Sequence, residues 1–278
     1  MKNLKIKILI TFIALVSSGL FAQESFKLNY NFVKGKDYKY KMTNDGIVTQ
    51  TMMGQEIKIN INGEIYAKLE SEGANADSTY LLISLDSAKY RINMPMRDTT
   101  TTLDNMIGKR TRLTVLKDGR IMDRQTIDTV MGNADMMSQV GAELTSLIIL
   151  PDKEIKMGET WNNENVDSVN MMGGSIKTKS NIDYTLLGKT DTLDHPCLRI
   201  GYQGKTSSEG KAKIMGMELF IEGNGKVTGM FLFDAGRGIM INSNSRIDNE
   251  MTMAATGEQN IIIPISQSSK QVKTLIEN

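Results

Sequence analysis

The chain has 278 residues, a formal net charge of +1, one cysteine and one histidine. A balance this close to neutral leaves no basic footprint for nucleic acid or an anionic membrane. One thiol makes no internal disulfide, and one histidine with one cysteine makes no zinc site of the usual composition, so apolar packing has to hold the fold.

The chain opens with Lys2, Lys5 and Lys7, the apolar run Ile8 to Val16, and Ser17-Ser18-Gly19-Leu20-Phe21-Ala22. A basic start, a short apolar run and a small residue at the end predict a secretory signal peptide cut after Ala22. The run falls short of the roughly 20 residues a helix needs to cross a bilayer, and no later segment comes close. Removing 1–22 therefore predicts a periplasmic or secreted protein with no integral membrane segment, and takes away three lysines and no acids. Cys197 lies too far from the leader for lipoprotein attachment.

From Ile57 to Leu69 apolar residues or glycine alternate with mostly polar ones, the period of a strand with one buried face. The same alternation recurs in Leu81–Leu85, Leu113–Val115, Leu198–Ile200 and Met215–Ile221. One wet and one dry face is the antiparallel habit. Turn signals fall at Asn44-Asp45-Gly46, Lys117-Asp118-Gly119-Arg120, Gly223-Asn224-Gly225 and Asp234-Ala235-Gly236. Arg97 to Asn105, with four consecutive threonines, reads as a mobile loop. The fold class expected is mainly β, with long curved antiparallel strands forming a half-barrel or sandwich.

One segment departs from the two-residue period. Between Thr126 and Leu150, Ile127, Val130, Ala134, Met137, Gly141, Leu144 and Ile148 step by three and four, which predicts one amphipathic helix stopped by Pro151. Its stripe is expected to lie against the concave or open side of the sheet. Across it, Met52-Met53-Gly54-Gln55-Glu56-Ile57-Lys58 and Met171-Met172-Gly173-Gly174-Ser175-Ile176-Lys177 share the pattern M-M-G-x-x-I-K. Gly35 to Tyr38 and Gly158 to Trp161 match upstream, and Glu64-Ile65-Tyr66 and Ile182-Asp183-Tyr184 lie downstream. The reading is a single β-rich domain, 23–278, of two tandem related halves, about 24–150 and 151–278.

Gly35-Lys36-Asp37-Tyr38-Lys39-Tyr40 and Leu150-Pro151-Asp152-Lys153-Glu154-Ile155-Lys156-Met157-Gly158-Glu159-Thr160-Trp161 resemble an uncharacterised family of exported proteins from Gram-negative bacteria, a domain of unknown function. That resemblance implies export and a β-rich fold, loosely similar to the open half-barrels that carry lipids or lipoproteins across the periplasm. It implies no catalytic residue.

Methionine is the compositional anomaly, 20 in the chain and several as pairs or at alternate positions. Thioethers suit soft metals, but no histidine or cysteine accompanies any cluster, so neither a metal nor a cofactor is expected. Flexible methionines also line surfaces that accept more than one apolar shape, or fill irregular cores. Met52, Met53, Met171, Met172, Met215 and Met217 are the candidate lining of an apolar groove. His195-Pro196-Cys197 holds the sole thiol near the sole imidazole, with no third group to orient them, and reads as structural. Glu218, Glu222 and Asp234 read as solvated acids.

Asp followed by Ser or Thr and a small or apolar residue occurs at 77–79, 86–88, 98–100, 128–130, 167–169 and 191–193, similar to the acceptor for O-glycosylation in some Gram-negative envelopes. Ser87 and Thr99 are the candidate sites. The function this points to is a non-enzymatic binding or carrier protein for an apolar small molecule or lipid. The alternative is a structural or protein-interaction module of the cell envelope with a filled core.

Overall fold

The computed structural model describes residues 24–52, 54–128, 147–171, 174–192, 195–214, 217–255 and 261–276; of Met52, 169–171, Ile214 and Met217 it describes the backbone alone. The described strands are β1 (Ser25–Phe26), β2 (Asp37–Met52), β3 (Gln55–Ala74), β4 (Ser78–Met94), β5 (Arg97–Thr102), β6 (Arg110–Leu116), β7 (Ile121–Thr126), β8 (Ile155–Lys156), β9 (Thr160–Met171), β10 (Gly174–Thr192), β11 (His195–Ile214), β12 (Met217–Asp234), β13 (Ile239–Ala255) and β14 (Ile261–Ile276). Twelve of them form one sheet in the order β7-β6-β4-β3-β2-β14-β13-β12-β11-β10-β9, with β5 beside the far half of β4. The pairings are antiparallel throughout. β1 and β8 pair separately.

The alternation seen in the sequence sets the two faces. On β3, Ile65, Ala67 and Leu69 are buried, whereas Lys58, Asn60 and Asn62 are exposed on the opposite face. The register carries the dry face across the sheet: Leu69 stands opposite Tyr38 and Ile83, and Ile200 opposite Leu186 and Phe231. Val115 on β6 and Trp161 on β9, close to opposite ends of the strand order, belong to one buried cluster. The sheet is therefore rolled around a shared interior, and among the described residues its end strands β7 and β9 have no partner on their outer sides.

Two straps fill the half of that interior nearest the start of β2. Along residues 27–33, the Tyr30 N–H donates to Lys117 O (2.7 Å), the Asn31 N–H to Gly238 O (2.9 Å) and the Ser71 hydroxyl to Phe32 O (3.1 Å). Along 147–157, the Leu150 N–H donates to Asp118 O (2.8 Å), and Trp161 Nε1 and the Tyr30 hydroxyl donate to Ile149 O and Ile148 O (both 3.1 Å). Leu28, Tyr30, Phe32, Leu150 and Ile155 enter the main core beside Phe231 and Phe233. Burying both straps satisfies backbone groups that a bare loop would leave orphaned.

Curvature tightens where β11 and β12 put glycine on the inner face. A Cβ on Gly225 would lie 2.0 Å from Asn249 Oδ1, and one on Gly204 2.4 Å from Asn181 O, so a side chain there would force the bend open. Two expected turns are overturned: Gly223-Asn224-Gly225 lies inside β12. Asn44-Asp45-Gly46 likewise lies inside β2, where a Cβ on Gly46 would make only ordinary contact with Ser269 Cβ at 3.5 Å. The turns at Lys117–Arg120 and after Asp234 stand where expected. The threonine run forms β5 rather than a loop, because β-branched residues fit a pleated surface.

The helix expected over 126–150 finds no support among the described residues. Thr126 closes β7, and Leu147 to Leu150 run extended under the hydrogen bonds just given; 129–146 lie outside the described residues. Among the described residues the helical element is a single 3-10 turn at Asp104–Met106.

The two halves share this one sheet. β14 pairs with β2 from Ile276 opposite Lys39 to Ile265 opposite Gln50, and that seam joins β2–β7 to β9–β14. Gly35 (φ 75°) and Gly158 (φ 80°) both make left-handed turns three residues before a buried aromatic, Tyr38 and Trp161. Tyr66 and Tyr184 do not correspond: Tyr184 is buried in the interior, while Tyr66 lies under the Lys41 ammonium on the outer face.

Candidate functional site

Asp167, Thr178, Ser208, Gly223, Met251, Ile265, Gln50 and Ile57 form one continuous row across the sheet. At or beyond this row lie the hairpins that close after β2, β4, β9, β11 and β13, all at the end remote from the straps. The backbone sets Met52 opposite Gln55, Met171 beside Gly174 and Met217 opposite Ile214, each at such a hairpin. Their side chains, and Met53, Met172 and Met215 altogether, lie outside the described residues. The same end carries Met96, fully exposed at a positive φ of 66°, with Phe220 and Ile262 also exposed.

Between the hairpin end and the straps the inner face changes character. Val48, Ile57, Ile59, Ile61, Ile92, Ile247 and Ile263 face inward by register, are partly accessible, and belong to neither buried cluster. Closer to the straps sits a band of polar residues on the same face. Lys273 stands opposite Met42 and Ser243, and Gln271 opposite Asn44 and Ser245. A cleft of about 130 Å³ opens here, lined by Lys273, Gln271, Ser243, Ser245, Tyr202 and Met42 and overhung by Leu147 and Ile148. The Lys273 ammonium is enclosed, 5.1 Å above the centre of the Tyr40 ring. Burial raises the Tyr202 phenol above its ordinary value, and hydrogen bonds from Ser243 and Ser245 pull it part of the way back. This band escaped the sequence reading. The available signal was parity: Gln267, Ser269, Gln271 and Lys273 keep step with the inward Ile265 and Leu275.

At the strap end, His195 Nδ1 lies 3.2 Å from Asp234 Oδ2 and its Nε2 2.8 Å from Arg237 Nη1. With Nδ1 donating to Asp234, Nε2 accepts from the guanidinium. Asp234 is thus not the solvated acid expected: it is buried, and its other oxygen accepts the Arg237 N–H (2.9 Å) to close the turn. Cys197 is buried nearby, and burial together with the Asp234 and Asp191 carboxylates pushes its thiol up to about 11, opposite to the activation a nucleophile needs. Glu218 is held ionised on the surface by Lys211 (2.8 Å). Among the described residues no group of three or more His, Cys, Asp or Glu could hold a metal.

Of the two acceptor candidates, Ser87 is exposed where β4 bulges against β3, while Thr99 is half-buried opposite Ile92 on the inner face. The end strands β7 and β9 line a common cleft of about 620 Å³ with Leu147 and Ile149 at its floor. No described helix is long and apolar enough to cross a membrane.

A family of unknown function (DUF6263) matches residues 142–240, less than half of the chain. No curated protein matches. Among solved structures, one titled for lipid–protein interactions in lipovitellin is similar with a TM-score of 0.49 at 13% identity over 89% of this chain, which spans 26% of that protein. An outer membrane channel from Pseudomonas putida F1 scores 0.31 at 10% identity, over 89% of this chain and 97% of the channel. Pseudomonas aeruginosa OccK5 (OpdH) scores 0.30 at 7% identity, over 89% and 100%. Identities and scores this low assign no ligand, activity or cellular site to this chain.

Proposed function

We propose that the protein is an exported, non-catalytic binding or carrier protein of a Gram-negative envelope, periplasmic or released, that holds an apolar ligand on the inner face between the straps and the hairpin end. The observation that carries this reading is the contrast along one concave face. Its strap half is filled with aromatic and aliphatic side chains; its other half presents an isoleucine stripe that no buried cluster absorbs. Contiguous apolar surface left facing solvent marks binding or association. The basic and apolar leader at 1–22 supports export.

The test is binding of a fluorescent apolar probe to the full purified protein, with lipid extraction of material taken from its native envelope. Ile59→Asp with Ile61→Asp is expected to abolish probe binding, with a loss of unfolding midpoint smaller than that of a fully buried core substitution, since both positions are only partly buried. Absence of probe binding and of any copurifying lipid would end the proposal.

A second reading is a structural or interaction module. It is supported by the filled strap half and by β9, a strand of 12 residues with one neighbour among the described residues, whose outer edge offers backbone groups to a partner strand. Stable capture of an envelope protein that survives the Ile59 and Ile61 substitutions would favour it.

A further inference from the structure

We propose that the cleft between β7 and β9 is a peptide-binding slit, and that its occupant is one extended, basic segment of a partner protein that pairs with both end strands at once. This rests on the interaction-module reading and names the partner's chemistry at the free β9 edge.

Strand parity comes first. Among the described residues, eleven strands lie on the path from β7 to β9, and every step between neighbours is antiparallel. An odd number leaves β7 and β9 pointing the same way. The two cannot form an antiparallel ladder with each other, whereas a single strand running oppositely between them pairs with both in the pattern the rest of the sheet uses. Their edges face a common space, the cleft of about 620 Å³, with Ile121 to Arg124 on one side and Asn165 to Ser168 on the other.

The β9 edge suits such a guest. Just before β9, the Leu186 N–H donates to Glu159 O (3.1 Å). Bonding alternates by two residues along an antiparallel pair, so Trp161, Asn163, Asn165 and Asp167 turn their backbone groups to β10. Asn162, Glu164, Val166 and Ser168 then turn theirs to the slit. The Ser168 N–H accordingly donates to the Asp167 carboxylate (2.8 Å) in place of a strand. β9 contains no lysine or proline, and its register with β10 is unbroken, so it lacks three devices that commonly blunt an exposed edge.

The occupant's character follows from what lines the slit. A strand between β7 and β9 uses both of its own edges and so belongs to no other sheet. That excludes β9 of a second copy, which β10 already holds, and leaves an extended tail or linker. Leu147 and Ile149 form an apolar floor, and Met122 and Val166 stand at the rim, 64% and 55% exposed. Three acids, Asp123, Glu164 and Asp167, face one base, Arg124, on the two strands. A segment alternating aliphatic residues with lysine matches both features, because a lysine stem lies along apolar surface while its ammonium reaches a carboxylate.

The test titrates the full-length protein against a fluorescein-labelled octapeptide of alternating valine and lysine, read by anisotropy. Two analogues accompany it, one N-methylated at alternate residues and one with glutamate for lysine. The parent peptide is expected to bind about tenfold more tightly than either analogue. Val166→Pro, which removes an N–H facing the slit and none facing β10, should weaken it about fivefold. Absence of parent binding would overturn the proposal. Equal binding of the parent and the N-methylated peptide would also overturn it, by showing association without backbone pairing, and needs no variant to fold. Hydrogen exchange on the protein alone is expected to be fast at Asn162, Glu164 and Val166; slow exchange there would show the edge already covered and sink the slit. Capture of an envelope protein that the parent peptide does not displace would leave the interaction-module reading standing and remove this site from it.

Discussion

Phe231 and Phe220 lie on the same strand with opposite parity, and replacing each by alanine measures how completely the strap half is packed. Phe231 is fully buried, with its ring centre 6.4 Å from that of Tyr184 and 6.3 Å from that of Tyr202. Phe→Ala at a closed site costs about 3–5 kcal/mol, and each aromatic pair contributes roughly 0.5–1.5 kcal/mol within that range. Phe231→Ala is therefore expected to destabilise by about 4 kcal/mol. At roughly 3 kcal/mol per molar urea for a chain this large, the midpoint drops by about 1.3 M. Phe220 is 41% exposed on the outer face, with Lys211 Nζ 4.8 Å from its ring centre, a contact that contributes about 0.5–1 kcal/mol. Its replacement should shift the midpoint by less than about 0.3 M. The chain's one tryptophan, Trp161, stacks on Tyr184 at 5.2 Å, so intrinsic fluorescence follows this core directly. Shifts of equal size at the two positions would refute the division into a filled interior and a wet outer face.

Burial raises the phenols of Tyr30, Tyr40, Tyr184 and Tyr202 above their ordinary value of 10.0. Because the folded protein holds these protons more tightly than the unfolded chain, their contribution is complete below pH 10 and is lost as pH rises from there toward the folded values. The unfolding midpoint should fall steeply above about pH 10; a midpoint level between pH 9 and 11.5 would contradict the burial of these side chains. Gly238, at φ 69°, carries the turn on which the first strap rests, and a Cβ there would meet Asn31 Cβ at 2.6 Å and Asn29 O at 2.7 Å. Gly35, at φ 75°, would have nothing within 4 Å of its Cβ. Gly35→Ala is expected to cost about 1 kcal/mol from backbone strain alone, and Gly238→Ala about 2 kcal/mol more as the strap is pushed off. Equal losses, measured by urea titration, would show that the strap does not press on the turn.

The parity of β3 was legible because one side chain in two is apolar over a long run, and a two-residue period places each of them with no knowledge of the partner strand. The glycines of 223–225 misled for a physical reason. Local rules treat glycine as a turn-former, whereas β12 uses it for want of room, a requirement set by Asn249 and Thr206 from neighbouring strands. The stepped apolar pattern after Thr126 suited a helix, yet Leu147, Ile148 and Leu150 serve as an extended strap, held by Tyr30, Asp118 and Trp161 from remote parts of the chain. The inward Lys273 band was not legible, because its meaning depends on β2 and β13 lying on either side of β14.

The seam between β2 and β14 sets a timetable for the nascent polypeptide. Lys39 waits for Ile276, so the N-terminal strands leave the ribosome long before the neighbour that completes them. Until the final segment is synthesised, β2 and β13 each expose a long unsatisfied border, open to intruding strands from other molecules. A pause in translation before residue 261, or a frameshift there, would leave two half-sheets with no bridge between them. Holding that intermediate apart from its neighbours becomes a task for the cell's chaperones.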